Sequence, residues 1–205
     1  PTQEAVDPVR YITNHSTGKM GYAIAKIASR RGAEVTLVSG PTAEEEPAFV
    51  NVVNVCSAKE MFEAVKERAQ EQDIIIKAAA VADYRPKHIR GSKMKKTEDG
   101  SDLTLELERT DDILAYLGAH KKQGQFLCGF AMETEDLIAN AKRKLEKKRL
   151  DMIAANSLRV EGAGFGGNTN VVTVITKEKE VSLGKMTKEE TAAELLTMIA
   201  EARKV

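Results

Sequence analysis

The sequence predicts an α/β domain built of βα units around a largely parallel sheet, with helices on both faces. Three observations predict it. Apolar runs of strand length alternate with segments of helical periodicity. The run Asp73 to Ala80 (DIIIKAAA) is apolar on both faces, as a strand between two helical layers must be. The 205 residues are enough for one such core and few for two.

Each element follows from its local pattern. Gly18 to Arg31 reads as a helix, with Met20, Ile24, Ile27 and Ala28 in one apolar stripe. Ala33 to Ser39 reads as a strand stopped by Gly40-Pro41, and Val50 to Val55 as a second. Ser57 to Gln72 is a helix, with Ser57 and Glu60 at capping-box spacing. Val81 to Lys96 contains Pro86, Gly91 and several charges and reads as a loop. The turn Glu98-Asp99-Gly100 leads into Leu103, Leu105 and Leu107 alternating with polar residues, one arm of a β-hairpin. Asp111 to His120 is a short helix with two acids at its positive end. Gln125 to Ala131 is a buried strand, Asp136 to Arg149 a basic helix and Met152 to Ala155 another strand. Glu161 to Asn170 has four glycines in ten positions and reads as a mobile loop. Val171 to Ile175 and Val181 to Leu183 form a terminal strand pair, and Thr187 to Arg203 a closing helix. Without repeat or linker, residues 1–205 read as one domain. A glycine-rich helix start comes within twenty residues of Pro1 with no strand before it, so the first strand is expected to lie upstream of residue 1.

Composition narrows the function. Thirty-one basic residues balance thirty-one acidic ones, so no net field favours nucleic acid or an anionic membrane. No apolar stretch approaches the roughly 20 residues that span a bilayer. Cys56 and Cys128 lack CxxC spacing, which argues against a disulfide framework and for a reducing, cytoplasmic setting. Both read as small core residues. His15, His88 and His120 are scattered without a nucleophile, so covalent catalysis is not expected.

Four segments carry candidate chemistry. Asn14-His15-Ser16-Thr17-Gly18-Lys19-Met20-Gly21 sets small polar residues before a helix whose first N–H groups would face a phosphate or carboxylate. It is no P-loop, because Met20 stands where Ser or Thr is needed, and no GxGxxG. An ordinary capped helix start explains it equally well, and Lys19 reads as a solvated side chain. Ala78 to Arg85 (AAAVADYR) lies at the carboxyl end of an apolar strand, where open α/β sheets bind ligands. There Asp83 either caps a turn or suits Mg²⁺ shared with substrate phosphates. Lys93-Met94-Lys95-Lys96 is either a solvated basic face or a triphosphate clamp. In the basic helix, Lys144 and Lys148 share a face whose like-charge repulsion an anion would relieve. A plain solvent face explains that run as well.

Together these stretches resemble the synthetase half of the bifunctional bacterial phosphopantothenoylcysteine decarboxylase/synthetase, the Dfp-type flavoprotein. The resemblance runs from PTQEAVDPVRYITNHSTGKMGYAIA through VTLVSGPT, AAAVADYRP, KMKK, GFAMET and LEKKRLDMIAANS to GFGGNTN. The motifs stand in family order over essentially the whole chain. The resemblance implies a Rossmann-like, three-layer α/β fold with a β-hairpin extension, assembled as a homodimer. It implies a ligase of coenzyme A biosynthesis that joins 4′-phosphopantothenate to cysteine, using CTP with Mg²⁺.

Carried over by position, Asn14 resembles the asparagine that holds the acyl-nucleotide intermediate, and Arg10 an arginine near the substrate phosphate. Lys77, Ala78, Ala79, Asp83, Lys93, Phe130, Lys144 and Lys148 fall on CTP-binding positions. Asp111, Asp112, Ile113 and Leu114 lie on a further nucleotide-contacting segment, where Asp111 replaces the proline of a Pro-Asp-Ile run. Asn14 and Lys93 are thus the expected catalytic residues, Arg10 and Asn14 the substrate-binding ones and Asp83 the metal-binding one. An FMN-binding decarboxylase half would lie upstream, and no residue here is assigned to flavin.

Two rivals stand beside this reading. A nicotinamide-dependent oxidoreductase wants an acid at the end of the second strand, where Ser39-Gly40-Pro41 stands instead. A nucleotide-sensing module would bind CTP without turning it over.

Overall fold

The computed structural model describes residues 1–95, 102–133, 136–157, 164 and 166–203. In chain order the first elements are β1 (Glu4–Ala5), β2 (Tyr11–Ile12), α1 (Lys19–Arg30), β3 (Thr36–Ser39), β4 (Asn51–Asn54) and α2 (Ala58–Ala69). Then come β5 (Ile74–Lys77), β6 (Tyr84–Pro86), β7 (Leu107–Arg109), α3 (Ile113–Ala119), β8 (Phe126–Glu133) and α4 (Leu137–Lys147). The chain closes with β9 (Met152–Ser157), β10 (Thr169–Asn170), β11 (Val172–Thr176), β12 (Glu180–Ser182), β13 (Met186–Thr187) and α5 (Lys188–Ala202).

The central sheet has five strands in the order β12-β11-β9-β8-β5. Strands β5, β8 and β9 run parallel, while β11 is antiparallel to both β9 and β12. The sheet is therefore mixed rather than largely parallel. The physical reason is connection length: a parallel step needs a helical crossover, and α4 supplies one between β8 and β9. Residues 177–179 instead make a tight turn from β11 to β12, closed by Thr176 N–H donating to the Lys179 carbonyl at 2.9 Å. β3 and β4 pair in parallel as a separate two-stranded sheet.

Burial alternates along the central strands with the period of two that a pleated strand imposes. Cys128, Met152, Ala154, Val172 and Val174 pack with Ala23 and Ile24 of α1 and Leu195 and Ile199 of α5. Leu127, Ile153, Ala155 and Ile175 point the other way, against Met61 of α2, Leu117 of α3 and Leu145 of α4. Helices thus cover both faces, as the two-sided apolar runs predict.

The caps follow the sequence closely. Thr187 and Glu190 form a reciprocal box at the start of α5. Ser57 caps α2 as expected, but the Glu60 carboxylate accepts from the N–H of Cys56 at 2.7 Å, one residue earlier than a box requires. That connection leaves Cys56 exposed, so it is not a core residue, whereas Cys128 is fully buried.

Several boundaries differ from expectation. The strand from Ala33 begins only at Thr36, and the strand from Asp73 leaves the sheet after Lys77. The segment read as a loop from Val81 to Lys96 contains β6, which pairs antiparallel with β7. Pro86 is tolerated there because it ends the strand. Among the described residues the Leu103–Leu107 alternation becomes strand only at Leu107. The expected 98–100 turn, Lys96 and most of the loop from Glu161 lie outside the described residues, while Thr169–Asn170 pairs with β13.

One close approach positions the later chemistry. A Cβ added to Gly118 would lie 1.8 Å from the Lys148 carbonyl oxygen, so only glycine lets α3 meet the end of α4. Gly118→Ala is expected to cost about 1–3 kcal/mol by overpacking. Urea denaturation measures this, and an unchanged midpoint would show that the two helices do not meet in this way.

Candidate functional site

A cleft of about 370 Å³ opens at the carboxyl end of β5. Its floor is Lys77, the last residue of that strand, followed by Val81, Ala82, Asp83 and Tyr84. One wall is Arg109, Thr110 and Asp111, leading into Asp112, Ile113 and Leu114 at the start of α3. Lys144 and Lys148 of the basic helix complete it.

Hydrogen bonds hold the floor in place. The Thr2 hydroxyl accepts from the N–H of Ala82 at 3.1 Å, and the Thr110 hydroxyl donates to the Ala82 carbonyl at 2.6 Å. Asn14 donates its amide to the Ala80 carbonyl at 2.9 Å and accepts from the N–H of Ser16 at 3.0 Å. It thus fastens the segment before α1 to the end of β5.

The cleft's charges are arranged against one another. Asp112 caps α3 by accepting from the N–H of Ala115 at 3.0 Å, and the Lys148 ammonium reaches the same carboxylate at 2.7 Å. Burial opposes ionisation of Asp112, but the Lys148 bond and charge and the Ala115 N–H outweigh it and hold its carboxyl below the usual range. Lys144 Nζ lies 3.5 Å from the Phe130 carbonyl. Lys77 is half-buried, and its pKa is pushed down to about 8, first by burial and then by the charges of Lys144 and Lys148.

The residues singled out in the sequence divide among three places. Lys77, Asp83, Asp111, Asp112, Ile113, Leu114, Lys144 and Lys148 meet in the cleft. Ala78, Ala79 and Phe130 pack beside the apolar cores instead of lining it. Arg10 and Lys93 belong to a third locus around the buried carboxylate of Asp7. Asp7 accepts from the Met94 N–H at 3.0 Å and from Arg10, whose guanidinium also donates to the Met94 carbonyl at 2.8 Å. The Met94 and Arg10 bonds hold the Asp7 carboxyl well below the usual range. Met94 is thereby buried, and Lys93 beside it is exposed.

Lys19 is partly exposed, as a solvated side chain would be, but its ammonium is also bonded. Its ammonium donates to the Gly166 carbonyl at 3.0 Å and to Asn168 Oδ1 at 2.9 Å. Lys188 grips the same segment through the carbonyls of Gly167 at 2.6 Å and Thr169 at 3.2 Å. Helix α1, which follows the Asn14 segment, is preceded at its N-cap by Gly18, whose φ of 84° is a left-handed conformation that suits glycine.

Sequence reasoning missed Tyr84, Arg109 and Thr110. Extending the alternation of Leu103 to Leu107 by one further period would have put Arg109 on the face of Leu107. Among the described residues no three His, Cys, Asp or Glu side chains converge to hold a metal ion. None of the described helices is long and apolar enough to cross a membrane.

A family model described as the DNA/pantothenate metabolism flavoprotein C-terminal domain matches residues 1–202. The chain belongs to this family. It is 48% identical over 199 residues to the coenzyme A biosynthesis bifunctional protein CoaBC of Vibrio vulnificus, covering 97% of this chain and 50% of that protein. It is 48% identical over 206 residues to the CoaBC of Bacillus subtilis, covering 100% of this chain and 50% of the relative. A crystal structure of the C-terminal domain of a CoaBC superposes with a TM-score of 0.82 at 46% identity, over 97% of this chain and 89% of that one. The chain spans about half the length of the curated relatives it matches.

A polyphosphate in the cleft of this C-terminal domain favours the charged form of Lys77 and raises its pKa from about 8. At pH 8, a polyanion that binds there is therefore expected to take up about half a proton, and Lys77→Met to abolish the uptake, with CTP as the probe. Titration calorimetry in buffers of different ionisation enthalpy measures it. Proton release on binding would contradict the sign.

Proposed function

We propose that this domain is a phosphopantothenate–cysteine ligase of coenzyme A biosynthesis. In this reading the carboxylate of 4′-phosphopantothenate attacks the α-phosphate of CTP, giving an acyl-cytidylate and pyrophosphate. The amine of cysteine then displaces CMP and forms the amide. The observation that carries the reading is the cation-lined cleft at the carboxyl end of β5, in a chain nearly half identical to CoaBC proteins.

A carboxylate is a poor acyl donor, because its charge is delocalised and its oxygen leaves badly. Activation turns that oxygen into part of a phosphoanhydride. The protein's contribution is then positioning and charge stabilisation. Lys77, Lys144 and Lys148 surround the space a triphosphate would fill, and Lys148 is already fixed by Asp112. Asp83 and Asp111 line the same space, so a hard divalent cation would sit on carboxylate together with substrate phosphates. Mg²⁺, when bound, supplies charge neutralisation on the leaving pyrophosphate. Asn14, fastened to the end of β5, is assigned to hold the mixed anhydride for cysteine. Arg10 is assigned to the substrate phosphate and Lys93 to charge development on the triphosphate, although both lie at the Asp7 locus and not in the lining of the cleft.

The reading extends to the assembly. Val9, Tyr11, Ile89, Leu103, Leu105 and Leu107 are exposed apolar side chains on β2 and around the β6–β7 hairpin. A second copy covering them makes the homodimer. The relatives are bifunctional proteins, and this domain takes the part of their synthetase half. FMN enters only with an upstream decarboxylase domain, and the setting is the cytoplasm.

Pyrophosphate release from CTP, with and without phosphopantothenate and cysteine, tests the reaction. No release from either CTP or ATP would overturn it. Lys93→Gln is expected to slow activation, whereas Asn14→Asp lets the acyl-cytidylate accumulate and slows amide formation. A lost donor of this kind costs about 2.7–4 kcal/mol of barrier stabilisation. Quenched-flow analysis of labelled CTP separates the two steps, and equal loss of both steps in both variants would remove these assignments.

A further inference from the structure

The β6–β7 hairpin presents its charges unequally on its two faces. Its register pairs Tyr84 with Arg109, Arg85 with Glu108 and Pro86 with Leu107. Directly opposed residues lie on one face, and successive pairs alternate between faces. On one face every base has an acid across from it. Arg85 Nε donates to Glu108 at 2.8 Å, and Lys87 Nζ to Glu106 at 2.5 Å. On the other face Arg109 stands opposite Tyr84, which supplies no counter-charge, and both residues line the cleft. Among the described residues no hydrogen bond or ion pair engages the Arg109 guanidinium.

A guanidinium stays charged at any physiological pH and offers a fork of donors that matches phosphate oxygens. The other cations of the cleft are partly committed. Lys148 is neutralised by Asp112, and Lys144 leans on the Phe130 carbonyl. We propose that Arg109 is a further nucleotide-binding residue, engaging the phosphate chain at the hairpin wall of the cleft, opposite Tyr84 in the strand pair. This rests on the reading of the cleft as a nucleoside triphosphate site. The hairpin then does two jobs: its ion-paired face is structural, and its Tyr84–Arg109 face recognises ligand.

The test is calorimetric binding of CTP, CMP and inorganic pyrophosphate to the whole chain. Arg109→Gln is expected to weaken CTP and pyrophosphate about ten-fold or more, the value of a lost charge-assisted bond, and CMP by no more than about two-fold. Arg109→Lys is expected to recover part of the loss. Arg85→Gln, which removes a cation from the opposite face, is expected to leave CTP affinity within about two-fold. Because no described residue bonds to Arg109, its variants are expected to melt with the parent. Unchanged CTP affinity in Arg109→Gln would overturn the inference, as would equal weakening of CTP and CMP, or an equal loss in Arg85→Gln. A parent chain that binds none of CTP, ATP or pyrophosphate would instead overturn the ligase reading itself, and this inference with it.

Discussion

Burial on both faces of β8 and β9 governs the rest of the molecule. Leu127 and Cys128, like Ile153 and Ala154, send consecutive side chains into opposite cores, so neither strand can slip by one residue without exchanging them. Parallel pairing across β5, β8 and β9 is then set, and the carboxyl end of β5 emerges where the chain can widen into a cleft. The helices α3 and α4 must approach closely to cover these strands, and Gly118 permits that approach. The same contact sets the end of α4 against α3, the helix that Asp112 caps.

Electrostatics in the cleft follow from that geometry. Lys77, Lys144 and Lys148 are forced near one another by elements whose positions the cores decide, not by attraction between the side chains. Asp112 offsets part of the repulsion, and burial first, then the charges of Lys144 and Lys148, weaken the hold of Lys77 on its proton. Such a site is arranged for an anion before the anion arrives. An anion entering it would need little reorganisation of the surrounding charges.

Much of this was legible in the sequence where the signal was periodic or local. The strands at Gln125 and Met152, the terminal strand pair and the Thr187 cap needed only burial pattern and capping chemistry. β6 was hidden by Pro86 and its neighbouring charges, because a three-residue strand leaves no periodic trace and its pairing partner lies about twenty residues on. The orientation of β11 against β9 was illegible because no local pattern reports it. At the site, the basic pair Lys144 and Lys148 and the acids Asp83 and Asp111 were found by spacing and resemblance. Arg109 was missed because its meaning depends on the residue across the hairpin. The bond from Lys19 to Asn168 joins positions far apart in the chain, which no local pattern reports.

Burial of Cys128 has a consequence for the reactivity of the protein's own sulfurs. Burial, and then the charge of Asp151, pushes its thiol far up, and Cys56 is raised by burial with Glu60 and Glu4 beside it. Disulfide exchange proceeds through the thiolate. With both thiols biased toward the protonated form, and one sealed in the interior, the domain's sulfurs are poor partners for a passing disulfide.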